Sequence, residues 1–198
     1  MKYVNQKKYP DKPYRTGLAY EGEARERGLT TTVSSSGCGL CSAVMVADRL
    51  LPDCEFSLED AMRISYDNRA NQFRGTSYRV FAPVFARECG LDLEMTNDPQ
   101  RLLYCLRTGG AAVLHCKGDR EGYVGVFSAI GHYVVAISEE RDGRIAVLDP
   151  AYKEGRYDIE GRKGLVEVKN GVIALCDLDV IVKDTEPADP SFYLFWRK

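Results

Sequence analysis

Only two histidines occur in the 198-residue chain, His115 and His132, so any imidazole base is one of these two. Seven cysteines supply candidate nucleophiles, and Cys38 stands apart from the rest. It follows a predicted loop of small, polar residues, Thr31-Thr32-Val33-Ser34-Ser35-Ser36-Gly37, and an amphipathic helix is predicted to start at it. N–H groups at a helix N-terminus lack intrahelical partners and carry partial positive charge. Sulfur held there is favoured as the thiolate, its nucleophilic form. His132, in Gly131-His132-Tyr133-Val134-Val135, is predicted to be the base. Asp149, which ends Arg144-Ile145-Ala146-Val147-Leu148-Asp149-Pro150, offers a carboxylate to hold the ring in one tautomer and orientation.

The segment between base and acid predicts how they meet. Glu139-Glu140-Arg141-Asp142-Gly143 reads as a turn with an Asp-Gly signal. A hairpin centred on it pairs His132 with Asp149, Val134 with Val147, and Ala136 with Ile145. Directly opposed residues share a sheet face with Cβ atoms roughly 5 Å apart. The resulting chemistry is thiol catalysis. His132 takes the proton of Cys38, the thiolate attacks an amide carbonyl, His132 protonates the leaving amine, and water releases the acyl-enzyme. The tetrahedral oxyanion then needs donors, and the N–H of Cys38 is one.

Local signals place the elements that position these groups. Leu40, Val44, Ala47 and Leu51 share one helical face, predicting a helix from about residue 39 to 51 that Pro52 stops. Ser57 caps a second helix at Leu58. Ser77 opens a third, running past Pro83 to Cys89 and ended by Gly90. Asn97-Asp98-Pro99 opens a fourth that Gly109-Gly110 stops. A short helix is also expected near Gly22–Arg27. From Ala111 onward the pattern predicts strands: 111–116, 131–138, 144–149, 171–182 and 192–196. Helices first and an antiparallel sheet second indicate an α+β fold.

Composition narrows the function classes. The formal charge is −2, from 27 basic and 29 acidic residues, and no basic patch with interleaved aromatics is present, so a nucleic-acid partner is not expected. No apolar run is long enough to span a bilayer, so no membrane partner is expected. The first residues lack the apolar segment of a secretory signal, which points to the cytoplasm, or to secretion if a leader has been removed. Seven scattered cysteines suggest reduced thiols rather than a disulfide framework. No organic cofactor is implied, and no second Cys or His pair has zinc-ligand spacing. Nothing in the sequence signals an oligomeric state.

Other readings compete at each residue. Cys38-Gly39-Leu40-Cys41 has the spacing of a thiol–disulfide oxidoreductase, but that site needs a buried strand just before it, and residues 31–37 are too polar and small. Cys41 reads as core, and His115 as a strand-end residue that could serve as an alternative base. Residues 152–169 read as a solvated loop with a short strand and no chemistry. The loop 117–128, rich in glycine and charge, reads as a substrate-facing lid.

Three motifs in order connect the chain to a known family. Ser36-Gly37-Cys38-Gly39 with Ala43-Val44-Met45, then Gly131-His132-Tyr133-Val134-Val135, then Asp142-Gly143 with Val147-Leu148-Asp149-Pro150, resemble papain-fold cysteine peptidases of the bacteriocin-leader-processing type (the peptidase family C thirty-nine-like group). The resemblance covers roughly residues 30–150. It implies a single papain-like domain over 1–198: an extension over 1–30, a helical part with the nucleophile over 31–110, and an antiparallel sheet with His and Asp over 111–198. It implies a peptide or related amide as substrate, with Cys38 as nucleophile, His132 as base and Asp149 as orienting acid. Two positions depart from the family's pattern. Leu40 stands where proline is common, and Thr32 stands where the oxyanion glutamine is usual. Gln6, the only glutamine before Cys38, is the residue the resemblance offers for the oxyanion. The same chemistry fits an amidase acting on cell-wall peptides, and a peptide-binding protein of weak catalytic power fits the missing nearby glutamine.

Overall fold

The structure, a computed structural model, describes residues 2–17, 31–72 and 75–198. The helix expected near residues 22–27 lies outside the described residues.

Among the described residues, seven antiparallel strands form one sheet: β1 (Leu91–Thr96), β2 (Ala111–Cys116), β3 (His132–Glu139), β4 (Ile145–Leu148), β5 (Glu167–Lys169), β6 (Ile173–Cys176) and β7 (Phe192–Arg197). Their spatial order is β1-β7-β2-β3-β4-β6-β5. Among the described residues, six α-helices accompany them: α1 (Val33–Ser36), α2 (Cys38–Leu50), α3 (Leu58–Asp67), α4 (Tyr78–Cys89), α5 (Pro99–Arg107) and α6 (Leu178–Thr185). A 3-10 turn spans Gln6–Lys8. The fold is α+β.

The central strands are buried on both faces, which explains their nearly unbroken apolar runs. Ala111, Val113, Val135, Leu148 and Phe195 join one core with α2, α3 and α4. Their alternate neighbours Ala112, Leu114, Val134, Val147 and Leu194 join a second core with α5 and α6. Helix α2 sits deepest. The one-sided apolar stripe expected of it is in fact buried almost all round, from Gly39 to Ala47. Gly39, Ser42, Ala43 and Ala47 are small enough to let its neighbours close in, as helices apolar on every side require.

Local chemistry sets the helix ends as expected. Ser57 Oγ accepts from Asp60 N at 3.1 Å while Asp60 Oδ2 accepts from Ser57 N at 2.9 Å, a reciprocal cap on α3. Asp98 Oδ1 accepts from Gln100 N at 2.8 Å, with Pro99 at the first helical position of α5.

Three expectations are corrected. Leu91–Thr96, placed in the helical part, is strand β1; its alternation Leu-Asp-Leu-Glu-Met-Thr pairs it with β7 at the sheet edge. The strand expected over 171–182 is only β6, and Asp177 begins α6 straight after it. The polar approach to Cys38 is not all loop: residues 33–36 form the helical turn α1, closed by Ser35 Oγ accepting from Thr32 N at 3.0 Å. Gly37 joins α1 to α2. A Cβ there would lie 2.6 Å from both Cγ1 and the carbonyl oxygen of Val33, so only glycine fits.

Candidate active site

Antiparallel order brings the start of β3 and the end of β4 to one end of the sheet. Helix α2 packs across β3 with its N-terminus near that end, and Ser42 Oγ donates to the Tyr133 carbonyl at 3.4 Å. Three elements therefore deliver one residue each: Cys38 begins α2, His132 begins β3, and Asp149 follows β4.

His132 and Asp149 meet, though not by the register expected. Ala136 opposes Val147 rather than Ile145, a slip of two residues, and a bulge between Ala136 and Ser138 shifts the register by one more residue on the side of the turn. A slip of two preserves the sheet face, whereas a slip of one would have reversed it. Asp149 thus lies beyond the paired strand and reaches the ring diagonally, with Oδ1 2.7 Å from His132 Nε2. The other ring nitrogen, Nδ1, is left free of Asp149, and Cys38 and His132 line the same cleft, near enough for each to shift the other's acidity.

The electrostatics follow from burial opposed by pairing. Burial alone would push the His132 imidazolium down, but the Asp149 carboxylate and the Cys38 thiolate outweigh it and raise the ring to about 9. Burial likewise acts to raise the Cys38 thiol, and the hydrogen bond and charge of His132 reverse that, bringing it below the ordinary range. Asp149 is 0 % exposed. Burial should raise it, yet His132, the Arg156 cation and the Ala151 N–H hold it ionised below the usual carboxylate range.

Cys38 and His132 border an open cleft of about 310 Å³, lined also by Gln72, Thr76, His115 and Gly131. Cys38 is partly exposed there, whereas Cys41, one turn on, is wholly buried and its thiol is raised by that burial. All seven cysteines are free. His115 stacks on the Tyr133 ring, centroids 4.7 Å apart, and burial pushes it down to about 4.

Gln6 docks on the turn that precedes the nucleophile. Its Nε2 donates to the Ser34 carbonyl at 2.8 Å, its backbone N–H donates to the Pro150 carbonyl at 2.7 Å, and its buried Oε1 has no partner. The segment around it straps the site together: Tyr3 Oη donates to the Asp149 carbonyl at 2.7 Å, and Asn5 Nδ2 to the Tyr152 carbonyl at 2.8 Å.

Two residues escaped the sequence reading. Arg156 and Tyr157 lie in the stretch assigned no chemistry, yet both contact the acid. Tyr157 Oη donates to Asp149 Oδ2 at 2.9 Å. Arg156 Nε lies 2.6 Å from the same oxygen, as an ion pair whose N–H is not directed at it. No local pattern announces such a contact, because the loop's hydrophilic composition looks the same whether its charges face water or a buried carboxylate. The loop 117–128 also differs from the lid expected. Asp184 of α6 accepts from Val126 N at 2.6 Å and Phe127 N at 3.1 Å, fastening it to the fold.

Among the described residues, no group of three or more His, Cys, Asp or Glu is placed to hold a metal ion, and no helix is long and apolar enough to cross a membrane. In comparison with known proteins, no family model matches the chain and no curated protein matches it.

Proposed function

We propose that this chain is a cysteine peptidase-like hydrolase with a papain-like fold, resembling the bacteriocin-leader-processing group, that cleaves a peptide or closely related amide through an acyl-enzyme. The observation that carries the reading is that Cys38 and His132 line one open cleft while the ring's Nε2 lies 2.7 Å from a fully buried Asp149. A thiol lowered and an imidazole raised by their mutual interaction are the two halves of a thiolate–imidazolium pair.

In this mechanism the Cys38 sulfur attacks the carbonyl carbon, and the C–N bond breaks as His132 passes its proton to the leaving nitrogen. Water then attacks the thioester, its proton going to His132, and the acid product leaves with Cys38 restored. The first N–H of α2 belongs to Cys38 and has no intrahelical acceptor, so it is available to the oxyanion. Gln6 is the second donor in this reading, through the N–H that the Ser34 carbonyl does not use. The burial of Cys41 favours this chemistry over thiol–disulfide exchange, which needs the second sulfur within reach of a partner.

The test is intact-mass spectrometry after incubation with a library of peptides and cell-wall fragments. An acyl adduct on Cys38 is expected, and its mass distinguishes a peptide substrate from a cell-wall one. Equal alkylation of all seven thiols by iodoacetamide, with no adduct from any library member, would overturn the reading.

A further inference from the structure

Asp149 has more partners than the orientation of one ring requires. Oδ1 takes His132 Nε2 at 2.7 Å and Ala151 N at 2.7 Å. Oδ2 takes Tyr157 Oη at 2.9 Å and the Arg156 guanidinium, with Nε 2.6 Å away. Arg156 is itself held in place, since its Nη2 donates to the Phe127 carbonyl and the Phe127 N–H is bound by Asp184. Only 14 % of its side chain is exposed.

A carboxylate paired with histidine alone meets two charge states in one turnover. Beside imidazolium it is balanced. Once the ring has given its proton away, it is a buried anion facing a neutral group, which strongly favours taking the proton back. A guanidinium stays protonated at every working pH, so it balances the carboxylate in both states. It also repels the imidazolium through the shared carboxylate, which makes the ring a better acid. The groups facing the pair are Tyr3 from the N-terminal segment, Cys38 from α2, Cys116 from β2, and Arg156 and Tyr157 from the segment after β4. Of these, Arg156 alone is a permanent cation.

We infer that Arg156 is a positioning residue that keeps Asp149 ionised while His132 is neutral, and so frees the imidazolium to deliver its proton to the leaving amine. This rests on the proposed hydrolase reading. It predicts a defect specific to leaving groups that need a proton. An amide nitrogen needs one to leave, whereas p-nitrophenolate does not.

The test compares benzyloxycarbonyl-glycine p-nitrophenyl ester with the coumarinyl amide of the same acyl group, in the wild type, Arg156→Gln and Arg156→Lys. Arg156→Gln is expected to lower kcat/KM for the amide about tenfold more than for the ester. It should also move the alkaline limb of the amide profile upward, because the ring keeps its proton longer. Arg156→Lys, which retains the charge, should restore both. A parallel fall on the two probes with an unmoved limb would reduce Arg156 to a structural strut and sink the inference. Loss of turnover on both probes by the wild type, with no acyl adduct, would instead end the hydrolase reading. A second measurement survives a variant that does not fold. In the Cys38→Ala chain, the Asp149 carboxyl carbon followed by NMR should keep its ionised shift while His132 titrates, and protonation of Asp149 beside a neutral ring would refute the role.

Discussion

The two walls of the cleft are built in opposite ways. The sulfur wall is a regular helix sunk in the core, and Cys38 acquires its surroundings from backbone geometry and from His132. The carboxylate wall is irregular. Asp149 lies past the end of its strand, and its loop, the 117–131 loop and the N-terminal segment are joined through polar and charged contacts centred on it. The sulfur is a functional group placed on a scaffold that stands without it. The carboxylate is a functional group that also holds its scaffold together. Chemistry and stability should therefore separate on one wall and move together on the other.

The largest expected effect belongs to the sulfur. Cys38→Ala should lower hydrolysis by about 10⁵-fold or more, as loss of a nucleophile does, and remove the fast iodoacetamide reaction. Its melting should stay within about 0.5 kcal/mol of wild type, because Cys38 is partly exposed and only borders the core. Cys41→Ala should do the reverse: alkylation at Cys38 persists by peptide mapping, and stability drops by about 1 kcal/mol for the buried atom removed.

Asp149→Asn comes next and tests the other wall. The amide cannot balance Arg156 or orient His132 as a carboxylate does. Amide hydrolysis should fall about 10³–10⁴-fold, and unfolding in urea should reveal a loss on the order of 3–5 kcal/mol, the cost of a buried charge left without its partner. An Asp149→Asn chain that melts like the wild type would abolish the contrast between the walls.

That contrast also explains what the sequence disclosed. The longer helices were legible, because Ser57, Ser77, Asp98-Pro99 and Gly90 mark their ends within a turn of where they stand. The partnership of His132 with Asp149 was legible too, since a hairpin preserves sheet face through a slip of two. The bulge that makes the slip an even one was not, because it depends on how β3 packs between its two neighbours. Strand β1 was missed although its alternation is plain; the helices on both sides drew it into the helical region. Arg156 and Tyr157 had no local signature, because their partner is distant in structure class if not in number: a charged loop returning onto a buried carboxylate.

A pH series sharpens the comparison at intermediate size. The His132 ring is raised to about 9, so the imidazolium needed to protonate the leaving amine is lost as pH climbs through that value. Amide hydrolysis should then fall about tenfold per pH unit above it. Stability follows the same sign. An unfolded histidine titrates near ~6.5, so the stabilisation from a protonated His132 is complete below that value and is lost as pH rises to about 9. Asp149, whose acidity is enhanced, contributes above the ordinary carboxylate range, and its contribution is lost as pH falls below it. Asp149→Asn should flatten the alkaline slope of unfolding free energy, because it removes the charge that raises the ring.

The smallest expected effects separate the walls most cleanly, because they can be matched in stability. Ser42→Ala removes a hydroxyl on α2 that donates to the Tyr133 carbonyl at 3.4 Å. Tyr157→Phe removes a hydroxyl that donates to Asp149 at 2.9 Å. Each deletes one buried hydrogen bond, for about 1 kcal/mol of stability. They differ in what the orphaned acceptor does next. The Tyr133 carbonyl is a fixed part of β3, so turnover in Ser42→Ala should match wild type. The Asp149 carboxylate, with one donor fewer on Oδ2, is expected to draw harder on the His132 proton and to lower kcat on amides by a few-fold, about 0.5–1 kcal/mol of barrier. KM should be unchanged, since Tyr157 does not border the cleft. Equal kcat in the two variants at equal stability would mean that the carboxylate wall supports the ring without tuning it.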